Sequence, residues 1–352
     1  MKYPYRKILY IMACSTLLLL FSCKKKDAAP VPIIVPVTLS AVHVSHTTTQ
    51  LEFKIRFFIL DSRVNDELTE MDLQQYLYIN GYSYSGVNYS YTLNSVNKVT
   101  MPLLGNSSTA VMLDESGIEE DQFAGLGASY MQNQETACRK FFKLSPAGNN
   151  FILSAYSADN AFLPSHPLTI YGDGFTDNPE IYDQKLAELR QYNYFTGNTP
   201  FLQALDSMLE FVKAKAPNAN KQVIAFTHSG DNVGGPAWNA VVNKAVAYHI
   251  PVNIVMTYQS NGDYYNYITL AGTTGGMIFY VSNNQDGTNI PHFTTKLNDV
   301  LKGNFLCFES DWTVNASSPV FNSGFAESGF MELYIDNKDK LYTYMPYFFR
   351  IP

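Results

Sequence analysis

Carboxylate and hydroxyl side chains follow several apolar runs of this sequence, at places where a buried strand would end. Asp114 and Ser116 come directly after one run, Thr199 follows a Gly-Asn pair, and His228 and Asp231 follow a later run. Carboxylates and hydroxyls are hard oxygen ligands for Mg²⁺ or Ca²⁺, whereas an imidazole suits Zn²⁺ and similar ions. The chemistry that these residues offer is therefore the binding of a cation or of a polar partner.

Catalysis is a weaker interpretation of the same loops. His228, Ser229 and Asp231 have the residue types of a hydrolytic triad, but they lie within one short loop, which seldom forms a triad. The sequence also has no Gly-x-Ser-x-Gly nucleophile elbow. Because no nucleophile–base pair can be named, we expect a protein that is not an enzyme.

The elements that must position these residues alternate between strands and helices over residues 105–304. Five runs are predominantly apolar, as in strands buried on both faces: Ala110–Leu113, Phe151–Ala155, Gln222–Phe226, Val252–Met256 and Met277–Val281. Helical spacing of apolar residues lies between them, for example over Thr199–Ala216, where Thr199 fits the N-cap and Pro200 the first helical position. The pattern predicts a doubly wound, mostly parallel α/β sheet, which binds ligands at the carboxyl ends of its strands.

The order of these elements and loops resembles a von Willebrand factor type A (vWA) domain over about residues 107–303. In that family, a metal-ion-dependent adhesion site uses Asp-x-Ser-x-Ser after the first strand, a Thr in a second loop and an Asp in a third. These ligands hold Mg²⁺ and leave a position open for a partner's carboxylate. Asp114, Ser116 and Thr199 match three of the ligands, whereas Ile118 replaces the second Ser and His228 replaces the second Asp.

The resemblance implies a degenerate adhesion site with weak or no binding of Mg²⁺ or Ca²⁺. It also implies a protein-interaction edge, which the same loops would line with Asp114, Ser116, Thr199, His228 and Asp231. In this family the first and last helices are neighbours. A disulfide between Cys138, near the end of the first helix, and Cys307, just after the last helix, is therefore a further hypothesis in an oxidising envelope.

Two segments of β character flank the α/β part. Apolar and polar residues alternate in residues 37–104 and 305–352, as in strands with one buried face. We expect the two segments to pack together as one small β-sandwich, with the α/β domain inserted between them; two unrelated β pieces are the alternative. The Asn80-Gly81 dipeptide, between tyrosine-rich runs, predicts a hairpin turn.

The first 36 residues predict a lipid anchor. Residues 1–22 have a cationic start and an apolar run shorter than the ~20 residues of a membrane span, as in a secretory signal peptide. Leu20-Phe21-Ser22-Cys23 resembles a bacterial lipobox, and the cationic run after Cys23 resembles lipoproteins of the Bacteroidetes type. Residues 23–36 would then form a lipidated, Pro-rich tether. We expect an anchored protein of the cell envelope, at the outer membrane, facing either the periplasm or the outside.

Composition restricts the partner. The chain has 352 residues, with 24 Lys plus Arg against 31 Asp plus Glu and a formal charge of −7. That balance argues against a nucleic-acid ligand, which usually needs a basic face. The remaining alternatives are a protein that binds another protein at the sheet edge, and a structural subunit with a vestigial edge that makes its contacts through the β segments.

Overall fold

A computed structural model describes residues 34–61, 70–101, 105–116, 127–158, 167–191, 198–257, 263–281, 297–300, 305–336 and 341–352. The predicted signal peptide, the lipidation site Cys23 and Ile118 lie outside these residues. Within them, every helix is too short or too polar to cross a membrane.

The strands are β1 (Ile34–His46), β2 (Gln50–Asp61), β3 (Leu77–Tyr78), β4 (Tyr82–Tyr84), β5 (Val87–Met101), β6 (Ser107–Asp114), β7 (Asn150–Tyr156), β8 (Leu168–Thr176), β9 (Asn220–Thr227), β10 (Val252–Thr257), β11 (Ile278–Val281), β12 (Phe305–Ala316), β13 (Ala326–Asp336) and β14 (Leu341–Arg350). The helices are α1 (Glu70–Tyr76), α2 (Gly127–Leu144), α3 (Glu180–Gln191), α4 (Phe201–Lys215), α5 (Trp238–Ala247) and α6 (Tyr264–Thr274), and residues 297–300 are also helical.

The predicted parallel α/β sheet is confirmed. The five apolar runs form β6, β7, β9, β10 and β11, which pair in parallel, and β8 adds an antiparallel edge. Their order is β8-β7-β6-β9-β10-β11. Along the chain, the strands from β6 to β8 are added toward one edge of the sheet, and those from β9 to β11 are added toward the other edge. That reversal is the topological switch point, where open α/β sheets bind ligands.

Helices cover both faces of this sheet. All eight residues of β6 are buried, because α2 packs on one side of the strand and α4 on the other. On the α2 side, Arg139 forms an ion pair with Asp183 of α3 at 2.6 Å, and the amide of Asn298 donates to the carbonyl of Phe141 at 3.2 Å. On the other side, α4 packs on α5 and α5 on α6.

The flanking β segments continue the same sheet. β1 pairs antiparallel with β11, and the described strands extend in the order β4-β5-β12-β2-β1-β11. The N- and C-terminal segments are joined directly, because β12 lies between β2 and β5. The separate small β-sandwich of the prediction is not confirmed, since these strands belong to the sheet of the α/β part. β1 also begins at Ile34, inside the predicted tether of residues 23–36.

A second sheet, in the order β14-β13-β3, lies over this extension. Apolar side chains from both sheets form one hydrophobic cluster, in which Phe53 stacks on Phe349 with ring centroids 4.6 Å apart. Trp312 and Met331 are buried in the same cluster. The alternation predicted within residues 37–104 therefore does point one face of β2 into a core.

The Asn80-Gly81 hairpin was a wrong prediction. β3 pairs with β13 in the second sheet, whereas β4 pairs with β5 through the two-residue turn Ser85-Gly86. Both turn residues have positive φ, 50° and 81°, as a type I′ turn requires.

The predicted Cys138–Cys307 disulfide does not form. Both cysteines are free, and both are buried. Cys138 lies on α2, which packs against β6, whereas β12 lies beyond five intervening strands. At a strand spacing of about 4.8 Å, that order separates them far more than the ~7 Å that a disulfide allows between Cα atoms.

Candidate functional site

Asp114 is the centre of a hydrogen-bonded network at the switch point. It is the last residue of β6, and its side chain is fully buried. Oδ1 accepts hydrogen bonds from the backbone N–H of Ser116 at 3.1 Å and from the Ser116 hydroxyl. Oδ2 accepts the backbone N–H of His228 at 3.0 Å and lies 2.8 Å from Nδ1 of the same residue. Both carboxylate oxygens are therefore occupied by groups of the protein.

Three hydroxyls extend this network across the loops. Ser116 Oγ lies 2.9 Å from Thr199 Oγ1, which lies 2.5 Å from Ser229 Oγ. Ser116 and Thr199 are buried, whereas Ser229 is partly exposed. The structure thus brings together four of the predicted site residues and adds Ser229, which sequence reasoning named only for a triad. Its position beside His228, in a loop after a buried strand, was the one signal for it.

Asp231 lies in the same loop, and its side chain bonds backbone N–H groups. Its carboxylate accepts the backbone N–H of Leu202 at 2.7 Å and that of Gly234 at 3.2 Å. α4 begins at Phe201, and its N-cap residue is Pro200, which makes no side-chain capping bond. The predicted N-cap at Thr199 was therefore wrong, because Asp231 supplies the acceptor from another loop.

Thr199 is fixed by the same loop. Its backbone N–H donates to Asn232 Oδ1 at 2.6 Å, and its carbonyl accepts the N–H of Asn232 at 3.2 Å. The N–H of Asp231 donates to Asp263 Oδ2 at 2.7 Å. These bonds hold residues 228–235 against the start of α4 without any external group.

The electrostatic setting of Asp114 favours its charged form. Burial on its own would raise the pKa of Asp114, but the charge of His228 and the hydrogen bonds from His228 and Ser116 outweigh burial and lower it. Glu115, the next residue, faces the opposite situation. Burial and then the charges of Glu135 and Asp114 raise the pKa of Glu115 well above its usual value.

The donor set does not fit Mg²⁺ or Ca²⁺. These ions need several hard oxygen ligands, usually including more than one carboxylate. Here one carboxylate, Asp114, already has both oxygens in hydrogen bonds, and an imidazole nitrogen lies beside it. Within the described ranges, no group of three or more His, Cys, Asp and Glu side chains is arranged to hold a metal ion.

No protein-family model matches the chain, and no curated protein matches it. Among solved structures, a von Willebrand factor type A protein from Catenulispora acidiphila is similar with a TM-score of 0.44 and 8% identity, over 93% of this chain and 75% of that one. The vWF domain of the type V pili tip protein Mfa5 from Porphyromonas gingivalis has a TM-score of 0.39 and 9% identity, over 58% of this chain and 97% of that one. A pilus adhesin, SpaC from Lactobacillus rhamnosus GG, has a TM-score of 0.41 and 10% identity over 91% of this chain, which spans 48% of the adhesin.

The α/β part of this chain is vWA-like in the order of its elements. The loops after β6 and β9, and the loop before α4, carry Asp114, His228 and Thr199 to one edge of the sheet, as the resemblance implied. His228 lies beside the Asp114 carboxylate, at the place where the resemblance would have a second carboxylate.

Proposed function

We propose that this chain is a lipid-anchored protein of the cell envelope, not an enzyme, that binds another protein at the carboxyl edge of its α/β sheet. The observation that carries the proposal is the closed network at the switch point, which joins three loops through Asp114, Ser116, Thr199, His228 and Ser229.

His228 takes the place of a cation in this proposal. In a metal-dependent adhesion site, a divalent ion balances the carboxylates and draws the loops together. Here the Nδ1 atom of His228 lies 2.8 Å from Asp114 Oδ2, and the backbone N–H of His228 donates to the same oxygen. Hydrogen bonds within the protein therefore hold the three loops, and binding of the partner would not depend on a metal.

The surface offered to a partner is the outer side of the 228–235 loop. Asn198, Asn232 and Val233 are exposed there, whereas the network beneath them is buried. Because Asn232 and Asp231 bond the loop to Thr199 and to α4, the loop is ordered before any partner arrives. A surface ordered in advance lowers the entropy cost of binding.

Photo-crosslinking in whole cells tests this surface. A photoreactive residue at Val233, which is 38% exposed on the rim, should crosslink to a second protein. The matched control is Leu144, 40% exposed at the far end of α2, where we expect no such product. A product from Tyr84 on β4 with none from Val233 would instead favour the structural subunit that makes its contacts through the β segments.

The lipid anchor rests on the sequence of residues 1–23. We expect Cys23→Ala to move the protein from the membrane fraction to the soluble fraction and to abolish incorporation of labelled palmitate. Cys14→Ala is the matched control, because Cys14 lies inside the predicted signal peptide and should not receive lipid. Unchanged membrane association and labelling of the Cys23→Ala protein would contradict the anchor.

A further inference from the structure

Another buried carboxylate, Glu327, lies in the β part of the molecule. Glu327 is the second residue of β13 and is 5% exposed. Its Oε1 accepts hydrogen bonds from the hydroxyl of Tyr347 at 3.0 Å and from the hydroxyl of Tyr91. Among the described residues, Oε2 has no hydrogen-bond partner. No cation is among the groups that set the pKa of Glu327, which burial raises.

A buried charge without a cation is costly, and native proteins seldom keep one that has no use. The two tyrosine hydroxyls stabilise the charged form and lower the pKa of Glu327, but they do not outweigh the effect of burial. An incoming positive group would therefore be attracted by this carboxylate, because the described groups that contact it are neutral hydroxyls.

Exposed aromatic rings connect Glu327 to the surface. Tyr82 and Tyr84 lie two residues apart on β4, so they share one face, and they are 44% and 69% exposed. The ring of Tyr82 stacks on Tyr89 at 4.7 Å and on Tyr91 at 6.3 Å. Since Tyr91 donates to Glu327, a single tyrosine separates the exposed ring of Tyr82 from the carboxylate.

The field of Glu327 reaches these rings. Burial and then the negative charge of Glu327 raise the pKa of Tyr82 to about 12. Both causes favour the neutral phenol, whose ring face is itself electron-rich and attracts cations. The patch formed by Tyr82, Tyr84 and Glu327, here called the tyrosine rim, therefore combines aromatic faces with a negative charge behind them.

We propose that the tyrosine rim binds an arginine side chain of a partner protein. The planar guanidinium stacks on aromatic faces, and it is more weakly hydrated than the ammonium of lysine, so it loses less when it enters a half-buried site. Charge complementarity supports this occupant, since a buried carboxylate that no described cation balances lies behind the rings. This site does not depend on the 228–235 loop and so stands apart from the function proposed above.

Binding of short labelled peptides to the full chain, in a neutral detergent, tests the proposal. We expect a tetra-arginine peptide to bind and a tetra-glutamate peptide not to bind, with a tetra-lysine peptide several-fold weaker than the arginine peptide. Glu327→Gln should weaken the arginine peptide about tenfold, and Tyr84→Ala should weaken it by a factor of about three to ten.

The matched control is Glu332→Gln on the same strand, which removes the same charge. Both carboxylate oxygens of Glu332 already accept hydrogen bonds, from Asn80 and Tyr334, so we expect binding unchanged from that of the wild type. Equal losses in Glu327→Gln and Glu332→Gln would mean that only the overall charge attracts the peptide, and the proposal would fail. It would also fail if Tyr84→Ala, at a largely exposed side chain that folding does not need, bound the arginine peptide as well as the wild type.

Discussion

The edge around Asp114 and the tyrosine rim both contain a buried carboxylate, but the protein treats the two charges in opposite ways. Asp114 has His228 at 2.8 Å, and its pKa is lowered despite complete burial. Glu327 accepts hydrogen bonds from two tyrosine hydroxyls in the part of the chain that the structure describes, and burial raises its pKa. The comparison teaches that burial does not decide whether a carboxylate is stabilised; the charge and the number of its donors do.

The two regions also differ in what they leave for a partner. Around Asp114, every carboxylate oxygen is used, so the network stabilises the loops and a partner meets only their outer surface. At Glu327, one oxygen has no described partner, so a cation could still be gained there. The first carboxylate is structural in this view, and the second belongs to a binding site.

The largest expected effect is on stability at Asp114. Asp114→Asn removes the charged acceptor of the Ser116 and His228 N–H bonds and should lower the free energy of unfolding by about 3–5 kcal/mol, as when one partner of a buried network is removed. Urea unfolding measures the change. Asp173→Asn, at an exposed position of β8, is the control and should change it by less than about 0.5 kcal/mol. A loss as small as that of the control would show that Asp114 does not hold the loops together.

The next prediction restores a second carboxylate. His228→Asp should be less stable than the wild type without metal, because two carboxylates then face each other. Saturating Mg²⁺ at about 100 times its dissociation constant should return roughly 2.7 kcal/mol and raise the melting temperature.

The wild type and the control His228→Asn should show no shift with Mg²⁺. If the wild type gained stability from the ion, His228 would not be acting in place of a cation. Asp114 and Glu327 would then not differ in whether the protein itself stabilises the charge.

The pH dependence should have opposite signs in the two regions. The folded pKa of Asp114 lies below the 3.8 of an unperturbed Asp, so its contribution to stability is present above that pH and is lost as the pH falls through the folded value. The folded pKa of Glu327 lies above 4.5, so stability falls as the pH rises from 4.5 through the folded value, because the unfolded chain releases its proton first.

Glu327→Gln should remove that second slope and change the free energy of unfolding at neutral pH by only about 1 kcal/mol, in the stabilising direction. Unfolding midpoints between about pH 2 and pH 8 measure both effects, because the Asp114 effect lies below pH 3.8 and the Glu327 effect above pH 4.5. A marked destabilisation of Glu327→Gln at neutral pH would mean that the charge of Glu327 is already compensated.

The smallest expected effect is at Ser229. Its hydroxyl lies at the partly exposed end of the network and, among the described residues, bonds Thr199 Oγ1 alone, so Ser229→Ala should cost about 1 kcal/mol. Chemical denaturation with Ser207→Ala on α4 as the control measures it. A cost near that of Asp114→Asn would show that the hydroxyl chain, rather than the carboxylate, holds the loops.

Much of the α/β part could be predicted from the sequence. The runs that became β6, β7, β9, β10 and β11 are predominantly apolar, which is what burial on both faces favours. The strand ends then predicted that Asp114, Thr199 and His228 meet at one edge. β8 was missed because its Gly172-Asp173-Gly174 stretch is polar and suits a turn, and only pairing at the edge of the sheet makes it a strand.

The hydrogen bonds that close the site could not be predicted. Asp231 caps α4 from a loop 29 positions away in the chain, and no local pattern specifies that contact. The tyrosine rim likewise forms because β13 brings Glu327 to Tyr91, 236 positions away. A short polar side chain can bond many different backbone groups, and the packing of the loops decides which of these groups lies within reach.

The sequence by itself determined most strands and helices of the α/β part, β8 excepted, and the residues at the ends of those strands, because periodicity follows from which faces are buried. Only the tertiary structure decided that β1 joins β11 to make one continuous sheet, that Cys138 and Cys307 stay apart, and that His228 rather than a second carboxylate stands beside Asp114's oxygens. Strand edges carry the same N–H and C=O groups whatever their sequence, so the choice of neighbour belongs to the packing of the whole chain.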